Sequence, residues 1–292
     1  MKTQNAALTA EALGARLPPL LIAADRVAST VAQGVHGRRR VGQGDSFWQF
    51  RRFVSGDPLA RIDWRQSAKS GRGAPEGWFI RETEWEAAQT VCLWRDASAS
   101  MCWRSRQVPV EKRERANLLL LSLASLLLRG GERVMMMQHD ARSVTSRSGL
   151  DRLATALDAA HDESGLPPEI RLPRHGTVVL FSDFLSPLDE IRTLIGRFAA
   201  VPVTGYLLQI LDPAETALPY HGRVRFRGLE GDGDALIPRV ESVRDAYADR
   251  LRAQQDGIAS ICATAGFGFG MHRTDHPPEM ALLTLYQALA PK

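Results

Sequence analysis

Cysteine is scarce in this chain, and long apolar runs are missing altogether. The 292 residues hold three cysteines, Cys92, Cys102 and Cys262. They are scattered and odd in number, so they make neither a disulfide framework nor a zinc spacing, and a reducing compartment is expected. No segment approaches the roughly 20 apolar residues that span a bilayer. The longest tract, Leu118 to Leu128, is interrupted by Ser122 and Ser125. Leu17 to Ala24 is short, broken by Pro18 and Pro19 and followed by Asp25-Arg26, so it does not read as a signal peptide. Cytoplasm is the expected location. A large excess of one charge is also lacking. The net charge of +4 permits contact with nucleic acid or anionic lipid without demanding it.

Catalytic signatures are equally sparse. The seven histidines form no His-Glu-x-x-His pattern, and neither a phosphate loop nor Gly-x-Ser-x-Gly is present. A phosphatase with an aspartyl nucleophile wants a second acid two residues after Asp96, where Ser98 stands. What is present is an ordinary globular composition, 44% hydrophobic and 24% charged. It is long enough for one large domain or two small ones.

The informative stretch runs from Val91 to Met101. Val91-Cys92-Leu93-Trp94 reads as a buried strand, and it ends in Asp96-x-Ser98-x-Ser100. One carboxylate and two hydroxyls at alternate positions can converge on a hard cation that prefers oxygen ligands. A second strand, Thr177 to Ser182, ends in Asp183. Ligand groups in open parallel sheets gather beyond the carboxyl ends of the strands, so the two acidic ends predict a single site. The bland alternative is that the serines cap a helix and Asp96 orders the loop. The ion expected is Mg²⁺, with Mn²⁺ or Ca²⁺ as substitutes.

The rest of the chain is organised around that stretch. A helix is expected from Leu20 to Gln33, followed by the basic run Arg38-Arg39-Arg40 and an irregular β-rich module to residue 88. Trp78 to Glu86 is its last strand. From Thr90 on, strands and helices alternate: strand to Trp94, helix Glu111 to Leu128, strand Arg133 to Gln138, a short edge strand Ala141 to Thr145, and helix Leu150 to His161. Then follow strand Thr177 to Ser182, helix Leu188 to Ala200 and strand Val203 to Leu211. A polar hairpin occupies residues 212–238, followed by helix Val240 to Thr264, a glycine-rich strand to His272 and helix Met280 to Leu289. Residues 1–88 form an extension and residues 89–292 an α/β domain. The predicted fold is a doubly wound, mostly parallel sheet.

The Asp96-Ala97-Ser98-Ala99-Ser100-Met101 motif resembles the metal-ion-dependent adhesion site of von Willebrand factor A-like domains. Asp183 resembles that family's later aspartate. The block Arg39-Arg40-Val41-Gly42-Gln43-Gly44, Phe50-Arg51-Arg52-Phe53, Gly56-Asp57-Pro58-Leu59-Ala60-Arg61-Ile62-Asp63-Trp64 and Arg81-Glu82 is similar to the bacterial "domain of unknown function 58" proteins. The resemblance covers about residues 20–210. It implies an A-type α/β fold with an N-terminal β-rich extension. With few anionic ligands at the strand ends, the expected function is a non-enzymatic protein-interaction module whose divalent cation docks an acidic partner residue. The resemblance further implies action with a MoxR-type AAA+ ATPase, or that enzyme's client, in assembly or maturation of other proteins. A threonine on a separate loop is also implied, with Thr145 and Ser148 as candidates. Arg95, before Asp96, departs from the apolar pattern and is placed to pair with Asp96. Gly56, Asp57, Arg61, Asp63 and Trp64 have two readings: a turn with an Arg–Asp pair and Trp64 pinning the extension to the core, or a partner-facing surface. The rival functions are a metal-dependent hydrolase at the same strand ends and a nucleic-acid binder acting through Arg38 to Arg40.

Overall fold

The computed structural model describes residues 38–42, 46–70, 75–87, 89–137, 142–146, 149–159, 165–231 and 233–289. The expected helix from Leu20 to Gln33 and the candidate Ser148 lie outside the described residues. The chain divides into two compact units, one within residues 36–88 and the other from residue 89 onward.

In the first unit, β1 (Arg38–Gly42) and β2 (Ser46–Arg52) flank a later strand, β3 (Phe79–Ala87), in an antiparallel sheet. The basic run is thus part of a strand. The turn between β2 and the short helix α1 (Trp64–Lys69) is tied by Asp57. Its carboxylate accepts two bonds from the Arg51 guanidinium, at 2.6 and 2.7 Å, and one from the Val54 N–H at 2.9 Å. Gly56 sits at φ 107°, a region that glycine adopts without steric cost. One Arg–Asp pair of this block joins Arg51 to Asp57. Asp63 caps α1, accepting from the Gln66 N–H at 2.8 Å. Arg61 closes a short 3-10 turn. Trp64 remains largely exposed while meeting Trp78 edge-to-face at 5.6 Å, and Phe53 meets the same ring at 5.3 Å.

The second unit runs β4 (Thr90–Arg95), α2 (Lys112–Arg129), β5 (Arg133–Met136), α3 (Leu150–Ala159) and β6 (Thr177–Ser182). It continues with α4 (Leu188–Ala199), β7 (Thr204–Leu211) and the short α5 (Pro213–Ala217). An antiparallel hairpin follows, β8 (Val224–Arg227) with β9 (Asp234–Ile237). Then come α6 (Arg244–Thr264), β10 (Gly268–Arg273) and α7 (Pro278–Ala288). Five of these strands make one parallel sheet in the order β10-β7-β6-β4-β5.

Successive side chains of β4 leave opposite faces of the sheet, as the period of a strand requires. Val91 and Leu93 join α2, α3 and α7 in one core, while Cys92 and Trp94 join α4 and α6 in another. That two-sided burial explains the unbroken apolar strands. Of the expected edge strand at Ala141 to Thr145, the described residues 142–145 form a single antiparallel bridge, Val144 to Val134. Helix α5 was not anticipated. From β4 the chain moves outward to β5, then returns to the other side of β4 to form β6. The loops leaving β4 and β6 thus diverge, which opens a crevice at the carboxyl end of the sheet.

The glycines of β10 serve packing. A Cβ on Gly268 would lie 2.4 Å from Tyr206 Cδ2, and one on Gly270 would lie 2.3 Å from the Tyr206 hydroxyl. Tyr206 pairs with Gly268 across the strands and is buried. Gly268→Ala should therefore destabilise the protein by about 1–3 kcal/mol through overpacking. The exposed neighbour Met271→Ala should change stability by less than about 0.5 kcal/mol. Urea denaturation of the two variants measures the contrast.

Candidate functional site

The crevice beyond β4 and β6 gathers side-chain oxygens from both loops. Arg95 pairs with Phe181, so Asp96 and Ser182 are neighbours as the two strands end, and the Asp96 N–H donates to the Phe181 carbonyl at 2.9 Å. The Asp96 carboxylate is buried and doubly held. Oδ1 accepts from the Ser98 N–H at 2.8 Å, and Oδ2 accepts from the Ser182 hydroxyl at 2.6 Å. Burial pushes this carboxyl above the ordinary aspartate range. The hydrogen bonds from Ser182 and Ser98 oppose that rise, and the nearby Asp183 adds to it.

Ser98 Oγ and Ser100 Oγ are 3.1 Å apart, and the Ser100 hydroxyl donates to Asp183 Oδ2 at 2.7 Å. Around an octahedral ion with oxygens at about 2.0–2.1 Å, adjacent ligand oxygens stand about 2.9 Å apart. The two observed spacings bracket that value. All four side chains offer hard oxygens, so Asp96, Ser98, Ser100 and Asp183 fit a divalent cation in chemistry, and Ser98, Ser100 and Asp183 fit it in spacing as well. No group of three His, Cys, Asp or Glu side chains suited to a metal occurs among the described residues.

The loop after β6 is held in position by its surroundings. Gln209 is fully buried; its amide donates to the Asp183 carbonyl at 2.8 Å and accepts from Gln255 at 3.0 Å. Phe184 takes φ 46°, an uncommon value for a side chain of its size. Its N–H bonds to Ser182 Oγ at 3.0 Å and its carbonyl to Gln254 at 3.2 Å. Gly165, at φ 63°, lies over the other wall: a Cβ there would stand 3.9 Å from Asp96 Oδ2 and from Ser98 Cβ.

A buried cation completes the cluster. Lys112, the first residue of α2, places Nζ 2.8 Å from Asp183 Oδ2 and 2.5 Å from Glu215 Oε1. Burial alone would lower its pKa, but the two carboxylates outweigh burial and hold it in the charged form. Glu215 comes from α5, just past the end of β7. Its Oε2 accepts from the Asp212 N–H at 2.8 Å, and Asp212 caps the same helix through the Ala214 N–H. The sequence reading overlooks Lys112, Ser182, Gly165 and Glu215. Only Glu215 has a local signal: Asp212-Pro213-Ala214-Glu215 is a capping box with proline at the first helical position.

Two expectations are corrected here. Val144 bridges to Val134, which is level with Val91 near the start of β4, whereas Asp96 lies just past its end. Thr145, exposed and next to Val144, thus sits toward the amino end of the sheet, away from the other ligands. The guanidinium of Arg95 donates to the main-chain carbonyls of Asp96, at 3.2 Å, and of Leu157, at 2.5 Å. The Asp96 carboxylate itself is engaged by Ser98 and Ser182. The three thiols also differ. Cys92 and Cys262 are buried, which pushes each up to about 12, while Cys102 is exposed in the turn that carries Ser100.

The crevice widens into a pocket of about 780 Å³. The strand-end oxygens form one wall, and the β8–β9 hairpin, with Phe226, Leu229 and Glu230, forms another. Glu230 Oε1 accepts from the Ser100 N–H at 3.1 Å, so a carboxylate from the hairpin already rests on the rim.

Residues 49–257 match the family described as "Protein of unknown function DUF58". The chain belongs to that family. Uncharacterized protein Rv1480 of Mycobacterium tuberculosis and Uncharacterized protein Mb1516 of Mycobacterium bovis are each 24% identical to this DUF58 chain over 279 residues, covering 90% of it and 85% of their own length. Similar solved structures include an aerotolerance-related membrane protein from Bacteroides fragilis, at 14% identity and TM-score 0.38, covering 69% of this chain and 98% of that one. BatB from Bacteroides thetaiotaomicron matches at 15% identity and TM-score 0.39, covering 69% and 97%. The SpRpn10 VWA domain matches at 8% identity and TM-score 0.33, also covering 69% and 97%. The doubly wound α/β sheet agrees with the von Willebrand factor A-like architecture that the motif implies. No helix among the described residues is long and apolar enough to cross a membrane.

The Ser182 hydroxyl links both strand ends, so its loss should be felt in stability. Ser182→Ala leaves a buried carboxylate oxygen and the Phe184 N–H without their partner. It should lower the unfolding free energy by about 1–3 kcal/mol, measured by chemical denaturation.

Proposed function

We propose that this DUF58 protein is a non-enzymatic interaction module that docks an acidic side chain of a partner in the strand-end pocket. A divalent cation held by Asp96, Ser98, Ser100 and Asp183 bridges to that acid. Mg²⁺ suits an all-oxygen set with few anionic ligands, and a partner's carboxylate would supply a remaining position. The observation that carries the reading is Glu230. A carboxylate of the chain itself bonds to the Ser100 N–H beside the ligand cluster, so the rim has the donor that an incoming acid would use. The open pocket has an apolar flank, with Leu185 and Leu229 both substantially exposed, which suits a peptide carrying an acid among apolar residues.

Family resemblance supplies the class of partner: a MoxR-type AAA+ ATPase or its client, in assembly or maturation of other proteins. The walls of the pocket carry hydroxyls and carboxylates beside Arg225 and Arg227, a polar lining that suits a charged peptide segment.

Calorimetric titration with Mg²⁺ and Mn²⁺ tests the reading. Wild type should bind one ion. Asp96→Ala and Asp183→Asn should each weaken binding at least about tenfold, as expected when one charged ligand of a small set is lost. Thr145→Ala should leave binding unchanged. Wild-type affinity unaffected by both aspartate substitutions would remove the strand-end assignment. Co-purification with the cell's MoxR-type ATPase, with and without chelator, tests the partner; complex formation indifferent to chelator and to Asp96→Ala would refute docking through the cation.

A further inference from the structure

Lys112 places a positive charge against the same oxygen that the divalent ion would need. Asp183 Oδ2 is shared by Lys112 Nζ at 2.8 Å and the Ser100 hydroxyl at 2.7 Å. An ion entering between Ser100 and Asp183 must take a ligand atom already bonded to an ammonium, and it meets like charge across that atom. The ammonium is walled in. Its side chain is 1% exposed, and Glu215, anchored by its second oxygen to the Asp212 N–H, holds it from the other side. The amino end of an 18-residue helix is also an unfavourable place for positive charge. Carboxylates, not the helix, keep Lys112 there.

Two carboxylates, Asp183 and Glu215, bond this ammonium, and Asp96 is held nearby by Ser98 and Ser182. The carboxylates attract a divalent ion, and the lysine offsets part of that attraction at close range, where screening is weakest.

We propose that Lys112 is a tethered counter-cation that competes with the divalent ion for Asp183 and weakens ion binding to the free protein. This rests on the cation site proposed above. Lys112 thereby sets how strongly the site holds metal before an acidic partner arrives.

The test titrates Mn²⁺ by calorimetry into wild type, Lys112→Arg, Lys112→Met and the double variant Lys112→Met/Glu215→Gln, with thermal melting followed in parallel. The double variant removes both members of a buried pair, so it covers the case in which Lys112→Met alone fails to fold. Glutamine keeps the oxygen that accepts from Asp212. The uncharged variants should bind Mn²⁺ at least about tenfold more tightly than wild type, and Lys112→Arg should stay close to wild type. Mn²⁺ should also raise their melting temperatures more than that of wild type. Adding Asp96→Ala should erase the gain. Equal or weaker binding in the uncharged variants, with wild type still binding at Asp96, overturns the role of Lys112 and leaves the cation site intact. Absence of Mn²⁺ binding in every variant overturns both.

Discussion

The parallel pairing of β4 with β6 is the constraint on which the site depends. Asp96 and Ser182 are neighbours only because Arg95 lies opposite Phe181, and the hydroxyl-to-carboxylate bond between them closes the two strand ends together. A slip of one residue in this register would turn the core-facing side chains of β4 to the other face, and two layers of helices oppose it. The packed interior thus fixes the placement of the polar groups above it. The route of the chain adds the crevice, since the connections leaving these two strands run to opposite sides of the sheet.

Charge balance is the second constraint. Asp96, Asp183 and Lys112 are buried and Glu215 is partly so, and buried charges persist only when paired and hydrogen-bonded. Each has such partners. Asp96 has a main-chain amide and a hydroxyl, Asp183 a hydroxyl and an ammonium, and Glu215 an ammonium and a main-chain amide. Three successive elements of the sheet order, β4, β6 and β7, deliver these groups, and α2 supplies the counter-charge. The ends of the strands and the start of one helix form a single polar network.

Much of the α/β unit is legible in the sequence because its central strands are covered on both faces. Val91 to Trp94 and Val178 to Phe181 are continuous apolar stretches, the run from Tyr206 to Leu211 is broken only by Gln209, and polarity resumes at their ends. Asp96, Ser98, Ser100 and Asp183 stand at those ends, so they stand out. Lys112 does not. It opens a helix whose first turn also carries Arg113 and Glu114, and nothing local marks it as the residue that turns inward. Thr145 misleads for a related reason. Its position in the chain suits a loop near the site, but the pairing of Val144 with Val134 is a long-range fact that sends the segment to the other end of the sheet. The module before residue 89 shows the same limit. Its turn residues announce a turn at Gly56-Asp57, while the partner of Asp57 is Arg51, on a preceding strand.

The unequal burial of the three thiols gives the molecule a native site for selective chemistry. Thiolate is the form that reacts with alkylating reagents and oxidants, and burial suppresses it at Cys92 and Cys262. Cys102 is exposed, at the end of the short turn that begins with Ala99 and includes Ser100, and its Sγ faces the Ser98 carbonyl at 3.8 Å. A maleimide-linked fluorophore or spin label will therefore attach next to the loop that carries Ser98 and Ser100 without any residue being engineered. Among the three cysteines, oxidation of the folded chain will begin at that same position.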